Sequence, residues 1–323
     1  MYSVGTLEQI LLANNYGYSM FYLFFSYALA TPLIVTENST SEQKENILAY
    51  YFGEEAEVEE ISWTTLQQKH SSYQKFGDGT MQDCQNRPSN NMQIMQQINR
   101  LQHAVNYFET DNFSENLQKT LEMLICSDER LSPSLLATIK YFQMDASDKA
   151  EKAWGEAIAY YPSLEWDENI DPSGKEIFDH VKANQQFDAP TTVQFYGQNT
   201  DTKYLNGTLI DSNSVDIFEG FHLFQDISTS IKGYGLTVPS GSWIQLVTLQ
   251  YFSSDLSELL NEEQERKALL QAMQILYPDR QIYLFSNNTL WQATDLDWDI
   301  LQYRNKKRQK LLLSSGLFLL SSS

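Results

Sequence analysis

Few side chains in this sequence have the type and spacing that catalysis or metal binding requires. No histidine belongs to a His-x-x-x-His or His-Glu-x-x-His pattern, so zinc held on a helix is not indicated. No Gly-x-Ser-x-Gly elbow, phosphate-binding glycine loop or dinucleotide fingerprint occurs. The nearest segment, Lys232-Gly233-Tyr234-Gly235, lacks a third glycine and a following helix. We therefore predict no catalytic residue, no cofactor and no metal. The four histidines are His70, His103, His180 and His222, of which His103 and His222 are interpreted as ordinary helix and strand residues.

Two acidic clusters, residues 167–171 and 295–299, could supply oxygen ligands or paired carboxylates. Neither has the glycine and distal glutamate of a twelve-residue calcium loop. Paired acids near Asp167 or Asp297 could instead hydrolyse a glycosidic or similar envelope polymer. A chain with 42 acidic residues supplies such pairs by chance, so solvated loops are the favoured interpretation.

The two cysteines, Cys84 and Cys126, are the only pair in the chain. In an oxidising compartment they could form a disulfide that closes a loop of about 40 residues and stabilises the fold by roughly 3–4 kcal/mol. The alternative is two unrelated thiols, with Cys126 an ordinary core residue. The sequence does not decide between these, because bridging depends on the distance between the Cα atoms.

The charge of the chain argues against nucleic acid as a partner. The formal net charge is -20, from 42 acidic and 22 basic residues, and no run of Lys or Arg precedes Lys306. Nucleic-acid binding draws its free energy from cationic side chains that displace counterions. The partner that we predict is a protein or a peptide.

The N-terminal residues 1–30 have features of a signal peptide. An apolar stretch from Met20 ends in Ala28-Leu29-Ala30, and small residues at these positions are what signal peptidase accepts. Residues 1–19 lack the positive charge of an ordinary leader, and the alternative is a buried amphipathic helix. The favoured interpretation is export to the bacterial periplasm or cell envelope.

The C-terminal residues 304–323 combine a basic cluster, Lys306 to Lys310, with a short apolar stretch. A membrane-spanning helix needs about 20 apolar residues, and only 13 residues follow the cluster. The tail could attach to a membrane surface, form the start of a longer span, or be a frayed end.

Residues 91–186 show helical periodicity, with four helices predicted between residues 92 and 160 and a further, capping helix over 173–184. Tyr107 matches Tyr141, and Leu124 matches Ile158, at an offset of 34 residues. This stretch resembles the tetratricopeptide repeat, which has that period. The resemblance implies stacked helix pairs whose concave face holds a peptide or protein. Tyr107 and Tyr141 would line that face or pack the repeats together.

Residues 187–252 change to five short β-rich runs, the first over Thr191–Tyr196, separated by turn formers, which is typical of a small antiparallel sandwich. Tyr204-Leu205-Asn206-Gly207 and the segment 217–223 resemble PEGA-type domains of bacterial surface proteins. Phe218 and Phe221 stand where that family has Pro and Ala. The resemblance implies a binding or spacing module, with Gly207 and Gly220 as turn glycines.

The remaining residues divide into two segments. Residues 31–90 are predicted to be mixed or loop structure. Residues 253–303 are predicted to form an amphipathic helix over 254–277, followed by a hairpin around Ser286-Asn287-Asn288.

The sequence therefore predicts an α+β multidomain fold, with a short TPR-like α-hairpin repeat and a small antiparallel β-sandwich. The predicted function is non-catalytic protein–protein interaction or scaffolding in a bacterial cell envelope. The alternatives are an envelope polymer hydrolase that uses acidic residues, and an architectural subunit of a large envelope assembly.

Overall fold

The computed structural model describes eleven stretches of the chain. They are residues 30–37, 42–84, 91–106, 113–126, 150–162, 164–166, 168, 174–184, 189–197, 201–228 and 231–303. Several predictions concern residues outside these stretches: the signal peptide up to residue 29, the tail 304–323, Tyr107, Tyr141 and Asp167. Among the described residues, no helix has the length and apolar character needed to span a membrane.

The described elements are fourteen strands and eight helices. In chain order they are β1 (Ala30–Thr36), α1 (Glu42–Phe52), β2 (Glu59–Ser62), α2 (Trp63–Lys69), β3 (Gln74–Gly77), β4 (Thr80–Asp83), α3 (Asn91–Asn106), α4 (Phe113–Leu124), α5 (Ala150–Tyr160), α6 (Lys175–Asn184), β5 (Thr191–Tyr196), β6 (Lys203–Leu205), β7 (Thr208–Leu209), β8 (Ser214–Ile217), β9 (Gly220–Ile227), β10 (Ile231–Val238), β11 (Trp243–Val247), α7 (Leu256–Asn261), α8 (Glu263–Leu276), β12 (Arg280–Ser286), β13 (Thr289–Ala293) and β14 (Trp298–Leu301).

One sheet, here called the α/β sheet, has the strand order β14-β13-β12-β1-β2 and helices on both faces. β1 is parallel to both of its neighbours, with Ile34 opposite Tyr283 of β12 and Glu60 of β2. Leu33, Ile34 and Val35 are all buried, as expected for a parallel strand covered on two sides. Ile34 packs towards α1, and Leu33 and Val35 pack towards α2, α7 and α8.

The other two sheets form a β-sandwich. The first sandwich sheet has the order β3-β11-β5-β8, and the second has the order β4-β10-β9-β6-β7. The alternating burial along β5 points Val193 and Phe195 into the core between the sheets, where Phe224 and Leu236 come from the second sheet. Period-two alternation is what places these side chains on one face.

The helix α8 joins the sandwich to the α/β sheet. Leu269 and Met273 of this helix belong to one buried cluster with Leu284 of the α/β sheet and Val247 of the first sandwich sheet. The two sheets therefore share a hydrophobic core through α8.

The helices α3 and α4 pack on each other, and the end of α4 contacts the outer face of the second sandwich sheet. Ile98 of α3 and Leu124 of α4 share a buried cluster with Leu223 of β9. Separately, α5 and α6 pack on each other through Trp154 and Phe178, whose ring centroids lie 4.7 Å apart.

The predicted fold class is wrong, although the chain does mix helices and strands. The structure consists mainly of three sheets, and no helical repeat is evident in the described part of the chain. The apolar stripes of α3 and α4 are real: the two helices pack on each other, and Leu223 of β9 joins their buried cluster. An amphipathic stripe has the same spacing whether its partner is a helix or a sheet, so the pattern did not identify the partner.

The sandwich also differs from the small antiparallel unit predicted for residues 187–252. β11 is parallel to β5, with Leu246 opposite Phe195. Two further strands come from residues 74–83, because β3 pairs with β11 and β4 pairs with β10. Period-two patterns locate strands but do not give their neighbours.

Candidate functional site

A crevice of about 330 Å³ opens where the three parallel strands of the α/β sheet end. Glu37 follows β1, Trp63 and Thr64 follow β2, and Asn287 follows β12. The chain reaches β2 on one side of β1 and β12 on the other, and open α/β sheets bind ligands at such a point beyond the carboxyl ends of the strands. The lining residues are Glu37, Trp63, Thr64, Ser254, Asp255, Ser257 and Asn287.

Helix-capping side chains, recognisable in the sequence, position the residues at the rim of this crevice. Ser62 caps α2, and its hydroxyl accepts from the N–H of Thr65 at 3.1 Å. Asp255 caps α7, where one carboxylate oxygen accepts from Ser257 N–H at 2.9 Å and from Glu258 N–H at 3.2 Å. These caps start both helices at the edge of the sheet.

Glu37 holds the base of the crevice together. Its Oε1 accepts from the backbone N–H of Ser257 at 2.8 Å and from the hydroxyl of Ser286 at 2.7 Å. These bonds tie the end of β1 to α7 and to the end of β12. Among the described residues, Oε2 has no hydrogen-bond partner, so it can accept from a ligand.

The carboxylates of Glu37 and Asp255 lie close together, because both accept from the same N–H of Ser257. The hydroxyl of Ser257 and then the backbone N–H of Glu258 lower the pKa of the Asp255 carboxyl. Asp255 therefore stays ionised at neutral pH. An ionised carboxylate only accepts hydrogen bonds, so the crevice suits a ligand group that donates them.

Trp63 lines the crevice, but its ring is too buried to stack on a ligand. Its side chain is only 1% exposed, and its indole N–H donates to the carbonyl of Ser253 at 2.8 Å. In the described part of the chain, no group of three or more His, Cys, Asp or Glu side chains could hold a metal ion.

The structure pairs Cys84 with Cys126, and their Cα atoms lie 5.2 Å apart. Cys84 directly follows β4, and Cys126 lies just beyond α4. The disulfide therefore fastens the end of α4 to an edge strand of the second sandwich sheet.

The two predicted turn glycines have different roles. Gly207, with φ +75°, follows Asn206, with φ +50°, in the tight turn between β6 and β7. Gly220, with φ +131°, lies where the chain leaves β8 of the first sandwich sheet and enters β9 of the second. Gly220 therefore serves a crossing between sheets and not a hairpin.

The glycines of Lys232-Gly233-Tyr234-Gly235 permit close helix packing. A Cβ on Gly233 would lie 1.9 Å from the carbonyl oxygen of Ile125, and one on Gly235 would lie 2.5 Å from Ile125 Cδ1. The end of α4 thus rests directly on the backbone of β10.

The other residues considered for chemistry have structural partners or lie on the surface. His222 donates from Nε2 to the carbonyl of Phe218 at 2.7 Å, and its Nδ1 lies 3.0 Å from the Asn206 amide nitrogen. His70 Nε2 lies 2.8 Å from the hydroxyl of Tyr277. Asp297 receives two hydrogen bonds from Arg266, at 3.2 and 3.4 Å. His103 and His180 are exposed.

A second polar group, here called the Asp226 cluster, is buried in the second sandwich sheet. Asp226 on β9 is paired across the sheet with Lys203 on β6 and Lys232 on β10. Tyr251 donates its hydroxyl to Asp226. Lys203 Nζ donates to the carbonyl of Ser212 at 3.3 Å. Asp226 and Lys203 are each 1% exposed.

The raised pKa of Asp226 predicts that the contribution of this carboxyl to stability falls as pH rises between about 4 and 6. Burial raises the pKa of Asp226 from 3.8 to about 6, while Thr202 and the charges of Lys232 and Lys203 act in the opposite direction. A carboxyl whose pKa is raised in the folded state favours folding while protonated and opposes it once ionised. The expected loss from this group is about 3 kcal/mol.

Urea unfolding at pH 4, 5 and 6 measures this effect as a difference between wild type and Asp226→Asn. Asp226→Asn should remove the part of the pH dependence of the free energy of unfolding that Asp226 contributes. Asp211→Asn, which changes an exposed carboxyl, should leave that pH dependence unaltered. Equal slopes for wild type and Asp226→Asn would contradict the assignment.

The two carboxylates of the crevice, Glu37 and Asp255, were not among the residues predicted to carry function. Asp255 was detectable, because an acidic residue before an apolar helical stripe is a typical cap. Glu37 gave no local signal, since its partners Ser257 and Ser286 lie 220 and 249 residues away.

Comparisons with protein-family models, with curated proteins and with solved structures find no match to this chain. The resemblance of residues 204–223 to PEGA-type domains therefore stays a prediction.

Proposed function

We propose that this chain is a non-catalytic protein-interaction component of a bacterial cell envelope, and that its crevice holds a cationic side chain of a partner. The observation that carries the proposal is the pair of carboxylates, Glu37 and Asp255, at the carboxyl ends of β1, β2 and β12.

The chemistry of the crevice favours lysine or arginine. Both carboxylates accept hydrogen bonds, and Asn287 and Ser254 add neutral polar groups to the lining. Lys and Arg side chains are donors without acceptors. A volume of about 330 Å³ is at the small end of ligand pockets, so it suits one side chain better than a whole cofactor.

The ionised state of Asp255 disfavours its use as a general acid. A general acid must be protonated near neutral pH, whereas hydrogen bonds lower the pKa of Asp255. Asp297, the acid considered for polymer hydrolysis, has a lowered pKa and is engaged by Arg266 and by Trp298 N–H.

Two observations support an envelope location. Cys84 and Cys126 form a disulfide, which persists in oxidising compartments such as the periplasm. The apolar stretch that ends at Ala30 has the length and cleavage pattern of a signal peptide.

Glu37→Gln should weaken binding of a blocked lysine or arginine peptide by about tenfold or more, because one charge-assisted hydrogen bond becomes neutral. The amide oxygen of Gln can keep the bonds from Ser257 and Ser286, so the fold should be retained. Isothermal titration with N-acetyl-lysine and N-acetyl-arginine methylamides measures the effect.

The matched control is Glu54→Gln, which removes the same charge from an exposed loop position. If Glu37→Gln binds as tightly as wild type, or if neither peptide binds wild type, the crevice does not recognise a cation. If a peptide does bind wild type, a photo-crosslinker at Thr64 tests the wider role, because partners from envelope extracts should attach at Thr64 and be displaced by that peptide.

A further inference from the structure

The two edge strands of the α/β sheet differ in their protection against added strands. At one edge, Glu59 and Glu60 of β2 form ion pairs with Arg280 at 2.5 Å and with Lys44 at 2.7 Å. Charged side chains on an edge strand discourage pairing with other chains. The charged side chains of β2 therefore disfavour the addition of another strand at this edge.

The opposite edge, β14, carries exposed apolar side chains. Ile300 is 54% exposed, and Leu296, two residues before the strand, is 84% exposed. No strand from the described residues pairs with the outer edge of β14. An edge of this kind is a template for an additional strand.

The register of β14 determines what each face offers. Ile300 lies opposite Trp291 of β13, and Asp299 lies opposite Gln292. Because side chains alternate along a strand, Ile300 shares the face of the buried Trp298, while Asp299 points to the other face. One face of the edge thus offers the exposed Ile300, and the other offers the exposed Asp299 beside the partly buried Leu301.

We propose that β14 binds an extended segment of a partner protein in which apolar and basic residues alternate, and that this segment adds a sixth strand to the α/β sheet. Its apolar side chains would contact Ile300, and its basic side chains would approach Asp299. The proposal rests on the proposed role in protein interaction, but it uses a surface separate from the crevice.

Charge favours a basic partner over a second copy of this chain. Two β14 edges brought together would place Asp295 and Asp299 of one copy near the same acids of the other, and each copy carries a net charge of -20. Like charges on neighbouring strands are destabilising. A basic segment neutralises these carboxylates instead.

Fluorescence anisotropy with the labelled peptide Lys-Val-Lys-Val-Lys-Val-Lys tests the proposal on the full chain. Binding should be at least about tenfold tighter than for a peptide of the same composition in block order, because only alternation fits both faces. N-methylation of alternate residues should abolish binding when it blocks the edge that faces β14, and should leave it intact on the other edge.

The matched variants are Ile300→Lys and Leu209→Lys. Both place a lysine at an exposed apolar position on an edge strand, with exposures of 54% and 47%. Ile300→Lys should weaken binding of the alternating peptide by about tenfold or more through charge repulsion, while Leu209→Lys should not change it. Equal affinities for the two variants, or for the two peptides, would overturn the proposal.

Three further outcomes also decide the matter. If sedimentation shows a wild-type dimer that Ile300→Lys converts to a monomer, a second copy occupies the edge and the proposal is wrong. If Glu37→Gln loses its crevice ligand while the alternating peptide still binds, the two surfaces act separately. If wild type binds neither blocked lysine nor blocked arginine but does bind the alternating peptide, the proposal for the crevice is wrong and the proposal for β14 stands.

Discussion

Gly233→Ala should destabilise the protein by about 3 kcal/mol or more, the upper range for overpacking a core. The new Cβ would lie 1.9 Å from the carbonyl oxygen and 2.9 Å from the carbonyl carbon of Ile125. These are backbone atoms, so no side-chain rotation relieves the contact. The end of α4 must move away from β10, and Cys126, the next residue, is fastened to Cys84. Urea unfolding at neutral pH measures the change.

Two substitutions on the same strand serve as controls. Gly235→Ala meets the end of the Ile125 side chain and the Phe221 ring, which can shift, so its cost should be smaller than that of Gly233→Ala. Thr237→Ala changes an exposed position and should cost little. If Gly233→Ala is as stable as Thr237→Ala, the end of α4 does not rest on β10 as described.

Replacing both cysteines, Cys84→Ser with Cys126→Ser, should lower the free energy of unfolding by about 3–4 kcal/mol. The disulfide joins residues 42 positions apart, and its loss enlarges the conformational freedom of the unfolded chain. In the folded protein, the bond holds α4 against the second sandwich sheet through Ile125 and Leu223. Urea unfolding of the oxidised wild type and of the double variant measures the difference.

A reducing agent supplies the control for this prediction. It should lower the stability of wild type to that of the double-serine variant and leave the variant unchanged. A wild type that is insensitive to reduction, despite complete reduction shown by thiol titration, would contradict the expected contribution. In the double-serine background, Gly233→Ala should cost less than in wild type, because α4 is then free to move.

Local patterns predicted several strands of this fold correctly. The strand over Thr191–Tyr196 has the predicted bounds, because its apolar residues alternate and turn formers flank it. The hairpin of β12 and β13 turns at Asn287 and Asn288, whose φ values are +48° and +57°. Asparagine tolerates this left-handed conformation, so the turn could be read from two adjacent residues.

Long-range pairing could not be predicted in the same way. β1 and β12 are about 250 positions apart, and nothing in either strand identifies the other. The 34-residue offset between helices arose from amphipathic segments of similar length, and such segments also pack on sheets. Glu37 was missed for the same reason, since its role depends on partners supplied by α7 and β12.

The central place of β1 in the α/β sheet sets a limit on how the polypeptide can fold during synthesis. β2 follows β1 closely in the chain, but β12 begins only at Arg280, so the ribosome must make most of the protein before β1 gains its second neighbour. Until then, one edge of an apolar strand stays uncovered and prone to aggregation. We expect a chain that ends before β12 to need a holding chaperone, and the complete folded chain to need none.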